Sequence, residues 1–117
     1  MNEARDAFST SSEPTEYEPF IVNGEHTGDV HWLRNDGDDG VQTGIWRVQP
    51  GQPPAGEVSE FEFHREETIH VLEGRVEIEM DGGERLDLSA GDVASFRRGA
   101  QTSWRVHAPF REFFIYS

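Results

Sequence analysis

The 117-residue chain has no cysteine and no lysine. Without cysteine there are no disulfides, thiolate metal sites or thiol nucleophiles, and the redox compartment stays open. Without lysine no side chain can form a Schiff base, which removes pyridoxal phosphate and lysine-aldolase chemistry. All ten basic residues are arginine. Apolar residues make up only 34% and gather after residue 40. No run approaches the ~18 residues of a membrane span, and no signal-peptide core lies near Met1. A soluble cytoplasmic protein is the expectation. Positive charge is scarce too, at a net −13. Ten of the 23 acids fall in residues 1–40 against two arginines. Such a surface repels phosphate backbones and anionic lipid, so neither nucleic acid nor membrane is an expected partner. No Gly-rich phosphate loop and no Gly-X-Ser-X-Gly elbow is present.

At this length one domain with a single modest core is expected. Residues 1–16 are polar, acidic and rich in Ser and Thr, which reads as a flexible tail before a domain spanning 17–117. Tyr17 to Val22 is apolar enough for a short strand or an arm on the body. Gly24 to Asp29 reads as a turn-rich link, Val30 to Leu33 as a strand, and Asn35 to Gly40 as a turn. Asp36, Asp38 and Asp39 in that turn lack the distal glutamate and flanking helices of a calcium loop. Thr43 to Val48 and Glu57 to Phe63 are further strands, separated by the proline-rich stretch Pro50 to Gly56.

The centre of the pattern is Glu67 to Gly83. Ile69, Val71 and Leu72 lead to Gly74, after which Val76, Ile78 and Met80 alternate with charged residues. That period of two is a strand with one buried face. Asp81-Gly82-Gly83 supplies a tight hairpin, and Leu86 and Leu88 resume the alternation. Val93 to Phe96, Ser103 to His107 and, beyond Pro109, Glu112 to Tyr116 complete the set. Short strands at near-regular spacing with turn residues between them predict an all-β sandwich or barrel with almost no helix.

Glu67, six residues, then Gly74 resembles the end of the first cupin motif. Gly91, five residues, Arg97-Arg98-Gly99, two residues, then Thr102 resembles the second. Thr43-Gly44-Ile45-Trp46, Phe61 to Gly74, Ala90-Gly91-Asp92 and Ser103 to Val106 resemble the small single-domain cupins related to the (S)-ureidoglycine aminohydrolase cupin domain. The resemblance covers Val41 to Tyr116 and implies a cupin-type jelly-roll barrel, the double-stranded β-helix.

It also implies where a metal centre would sit. Such centres take two histidines one residue apart, a glutamate and a later histidine. The glutamate position is Glu67 and the later histidine position is Thr102. With a three-residue gap the histidine pair falls on Phe61 and Phe63; with four it falls on Glu60 and Glu62. Neighbours on a strand face opposite sides, so the two registers turn opposite residues inward. Burying two phenylalanines gains roughly 1.5–3 kcal/mol each, whereas burying two unpaired carboxylates is costly without a cation. The phenylalanine register therefore predicts a pocket of Phe61, Phe63, Glu67, Thr102 and Trp104 with no metal and no other cofactor. The alternative is a manganese or other divalent-metal site of Glu60, Glu62, His64 and Glu67.

His70 is out of phase with Glu67 and is expected on the outer face or at a subunit contact. His26, His31 and His107 are isolated, and Trp46 and Trp104 are expected as core or pocket wall. A lone carboxyl among Phe61, Phe63 and Trp104 is desolvated, so Glu67 is the candidate catalytic group: a general acid or base, or a partner for a cationic amine. Three functions stay open: a metal-independent cupin that binds a small metabolite, a metal enzyme resembling the aminohydrolase, and a non-catalytic sensor. A homodimer is expected, because the sheet edges of a small cupin must be covered or shared.

Overall fold

The computed structural model describes residues 6–117, and among these it contains eight strands and no helix. In order they are β1 (Glu18–Val22), β2 (Glu25–Asn35), β3 (Gln42–Val48), β4 (Val58–Glu62), β5 (Glu67–Met80), β6 (Arg85–Ser89), β7 (Val93–Phe96) and β8 (Gln101–Tyr116). All the strand pairings are antiparallel. No described helix is long and apolar enough to cross a membrane.

The two long strands β5 and β8 organise everything else, because each belongs to two half-sheets. The start of β5 (Glu67 to Val71) pairs with the end of β8 and with β7. The end of β5 (Arg75 to Met80) pairs with the start of β8 and with β6. The end of β8 carries β3, β2 and β1, while its start carries β4. Two half-sheets sharing two bent strands make the jelly-roll barrel.

The bend has a backbone cause. The β5–β8 register shifts on both sides of Glu73, and Gly74 there has φ +82°. A Cβ on Gly74 would lie 2.2 Å from the Pro109 carbonyl oxygen, so only glycine lets the strands approach. The shift takes Pro109 out of the ladder, and its missing N–H is not needed. For this reason β8 is one strand from Gln101 to Tyr116 rather than the two expected on either side of Pro109. Residues 24–29 also differ from expectation. Only Asn23 and Gly24, with φ of 52° and 81°, make a turn, the two-residue kind that matches strand twist. From Glu25 on, the chain is strand.

The period of two sorts the core. On β5 Glu67, Ile69, Val71, Val76 and Ile78 are buried, and on β8 Trp104, Val106, Phe110, Glu112 and Phe114. Of the expected tail, residues 1–5 lie outside the described residues. Residues 6–16 form no strand and lie against the body. Thr10 Oγ1 meets His31 Nε2 at 2.9 Å, the Glu16 carbonyl accepts from His31 Nδ1 at 2.7 Å, and Arg111 donates to the Ser12 carbonyl.

Candidate functional site

Register places two carboxyl groups on the inner face. Glu67 opens β5 opposite Tyr116 of β8, and Glu112 of β8 stands opposite Val71 of β5. Residues directly opposite in an antiparallel pair share a face, so Glu67, Tyr116 and Glu112 all point inward. Glu67 is 4% exposed and Glu112 2%. The Tyr116 hydroxyl hydrogen-bonds to Glu67. Glu112 Oε1 is buried and has no hydrogen-bond partner.

Above the pair lies a cavity of about 400 Å³ lined by both glutamates, Tyr116, Phe61, Trp46, Trp104 and Phe114. Its mouth is formed by the β1–β2 hairpin (Val22, Asn23, Glu25 and His26), by Pro53 and Pro54, and by Glu57 and Glu60. The walls interlock edge to face, with Trp46 and Trp104 at 6.5 Å, Phe61 and Trp104 at 6.3 Å, and Trp46 and Phe110 at 5.8 Å. Trp46 Nε1 donates to the Thr27 carbonyl at 2.8 Å, which fixes the indole as a wall.

Burial pushes the Glu67 carboxyl up to about 8, against the partial pull of the Tyr116 hydroxyl. Burial, reinforced by the Glu67 charge, holds Glu112 well above the carboxylate range. Burial and then the two carboxyls raise the Tyr116 phenol as well. At neutral pH the site is therefore a pair of protonated carboxyls beside a protonated phenol. Each carboxyl can donate and accept a hydrogen bond, and loss of a proton is resisted by the dry surroundings and, at Glu112, by the Glu67 charge as well.

The anticipated pocket residues divide in two. Phe61, Glu67 and Trp104 line the cavity. Phe63, 1% exposed, stacks on Phe96 at 4.5 Å and 8° and lies in the core behind. Thr102 is buried, but its hydroxyl donates to the Phe61 carbonyl at 2.7 Å and accepts from Trp104 Nε1 at 2.8 Å, so it fastens β4 to β8. Glu62 faces outward on β4, and Glu60, also exposed, reaches only the cavity mouth, away from Glu67 at its depth. His64 meets only Glu62, at 3.6 Å with 79% of its side chain exposed, and Glu67 is on the inner face. The four residues of the alternative metal set are thus not brought together, and no three potential ligands gather among the described residues. The positions of a standard cupin centre carry two rings and an engaged hydroxyl, which do not fit a metal. His70 is exposed, His107 pairs with Glu77 at 2.8 Å, and His26 with Asp29 at 3.4 Å.

Glu112 and Tyr116 were not anticipated. The signal for them is partial: Phe110, Glu112, Phe114 and Tyr116 alternate on one face, but Phe113 and Ile115 make the other face apolar too, and only the register with β5 turns the first face inward.

A jelly-roll enclosing a cavity at the junction of its two shared strands defines the cupin class. The chain belongs to the EutQ-like cupin domain family, whose sequence profile matches residues 35–114. Among solved structures it is similar to a DUF861 family protein, TM1112, from Thermotoga maritima. The identity is 26% and the TM-score 0.51, with 60% of this chain and 73% of that one covered. It is also similar to ectoine synthase from P. lautus, at 18% identity and a TM-score of 0.67, covering 85% and 67% of the two chains. The EutQ protein of Clostridium difficile matches at 15% identity and a TM-score of 0.58, over 75% of this chain and 65% of that one. The last two likenesses concern the fold alone. No curated protein sequence matches the chain.

Proposed function

We propose that this chain binds a small metabolite inside the barrel without a cupin metal, and that Glu67 and Glu112 are its working groups. The observation that carries the reading is Glu112 Oε1, buried without a partner at the edge of the cavity. An unsatisfied buried oxygen costs about 1–3 kcal/mol, and a ligand with a hydrogen-bond donor would recover it. The volume, about 400 Å³, suits a small metabolite and weighs against a barrel packed shut. A carboxyl that titrates near neutrality can also move protons on the bound molecule as general acid or base. A nitrogenous or carbohydrate substrate is the enzymatic form of this reading. The deamination of (S)-ureidoglycine has less support, because its metal positions here are Phe61, Phe63, Glu67 and Thr102, of which Glu67 alone is a good ligand.

Two measurements test it on one preparation. Elemental analysis of protein purified without chelator should find far less than one transition metal per chain. One per chain, lost in Glu62→Ala, would restore the outward-facing glutamates as ligands. Thermal-shift screening against amines, ureides and sugars should find one class that raises the melting temperature, as ligands of the native state do. A shift that persists unchanged in both Glu67→Gln and Glu112→Gln would put the ligand elsewhere.

A further inference from the structure

The charged lining of the cavity is of one sign. Glu25, Glu57 and Glu60 stand at its mouth and Glu67 and Glu112 at its depth, while no described arginine lines it. The nearby arginines are committed elsewhere. Arg47 holds Asp29 at 3.2 Å and lies 3.7 Å over the Tyr17 ring. Arg65 donates to Gln42 Oε1 at 2.9 Å and to the Gly40 carbonyl. Acidic residues alone would be a solvated surface. Here a second, independent feature points to a ligand: the partnerless Glu112 Oε1, in a residue 2% exposed, at the cavity wall. The faces of Trp46, Trp104 and Phe61 supply the third, since aromatic faces attract desolvated cations.

Resting on the reading that the barrel holds a small ligand, we propose that this ligand is an organic cation with at least two N–H donors, an alkylammonium or guanidinium head. It sits across Glu67 and Glu112 and enters in exchange for a proton. One N–H reaches the orphaned oxygen of Glu112, and the positive charge faces a Glu67 carboxylate. The exchange follows from charge balance, because a dry pair of neutral acids offers a cation nothing until one of them ionises. Glu67 is the one that ionises, since the Tyr116 hydroxyl supports its carboxylate. The leaving proton passes to buffer.

The groups facing the pair are few. β8 brings Tyr116, which stays protonated, and β2 brings His26 and Glu25. Glu57 and Glu60 come from the β4 side, and Arg65, ahead of β5, acts on Tyr116 at a distance. Because Glu67 gives up its proton unaided only near pH 8, cation affinity rises with pH below that value and levels off above it. The rise is at most about tenfold per pH unit for one proton released. A quaternary ammonium ion keeps the aromatic contact but cannot reach Glu112 Oε1 with a donor, so it binds more weakly than a primary ammonium of equal size.

The test is titration calorimetry on the full chain with butylammonium, methylguanidinium, pentan-1-ol and butyrate. Each is run at pH 6 and pH 8, in two buffers of different ionisation heat. A cation should bind at least tenfold tighter than the alcohol or the carboxylate. It should release about one proton at pH 6 and tighten by roughly fiftyfold toward pH 8. Glu67→Gln, which keeps the shape, should lose at least tenfold in cation affinity and flatten the pH profile. Tighter binding of the alcohol or butyrate that is lost in Glu112→Gln would overturn the cation and leave the binding barrel standing. No proton release, or a Glu67→Gln variant that binds cations like wild type, would overturn it as well. Silence from every probe at both pH values would remove the barrel reading along with it.

Discussion

A carboxyl that keeps its proton until about pH 8 ties the stability of the whole chain to a single atom pair. Unfolded, Glu67 ionises near its ordinary value of 4.5; folded, it does so only at about 8. Between those values the folded chain binds more protons than the unfolded one, so stability is lost as pH rises through that window. Asp29 is held below its ordinary value by hydrogen bonds from Gln52 and then Arg47, Asp87 by Arg75 and Glu77 by His107, and they act in the opposite sense at lower pH. Comparing Glu67→Gln with wild type isolates the buried group. The variant should melt no more than a few degrees above wild type at pH 5 and more than about 10 °C above it at pH 8.5, since the shift from 4.5 to about 8 is worth several kcal/mol and about 1 kcal/mol moves a domain of this size by several degrees. Equal melting at both pH values in differential scanning calorimetry would mean that Glu67 is hydrated and ionised in the folded state. Glu67 is legible in the sequence from its spacing to Gly74. Glu112 is not legible in the same way, because a lone strand does not say which of its faces is inward until its neighbours are in register.

Among the elements, β5 and β8 decide where the carboxyls meet. Their bend depends on Gly74 lying flat against Pro109, so Gly74→Ala should disturb the fold and the site together. Left-handed backbone on a residue with a side chain and a Cβ within 2.2 Å of a carbonyl oxygen should cost about 2–5 kcal/mol. Urea unfolding followed by tryptophan fluorescence reads this directly. A loss under about 0.5 kcal/mol would show that the bend relaxes without consequence. Strands β3 to β7 are legible because period-two alternation is read from adjacent residues. The joining of β8 across Pro109 is not, because it depends on a register shift in β5, a partner far away in sequence. The start of β2 is hidden for a similar reason: Gly28 reads as a breaker locally, yet it lies where Trp46 and the Arg47 carbonyl come close.

At the scale of the whole molecule, the open question is how the sheet edges are covered. β1, β4 and β7 each have one strand partner, and each carries a large apolar side chain in water: Ile21 at 56% exposure, Val58 at 60% and Val93 at 63%. Unpaired edges with exposed aliphatic residues favour association, and β1 is the terminal strand of the longer half-sheet. Opposing this is a net charge of −13 per chain, which salt screens over about 8 Å at physiological ionic strength. A homodimer through the β1 edge should therefore form at micromolar concentration and tighten as salt is raised from 20 to about 150 mM. Light scattering should give about twice the 13.3 kDa of one chain. Ile21→Asp should return it to monomer without moving the ligand site, which faces the other side of the sheet. Deleting residues 1–12 should leave the dimer intact, since residues 6–12 add no strand to the edge. A wild-type mass near 13.3 kDa at every salt concentration would refute the dimer, and a dimer that survives Ile21→Asp would move the interface to β4 or β7.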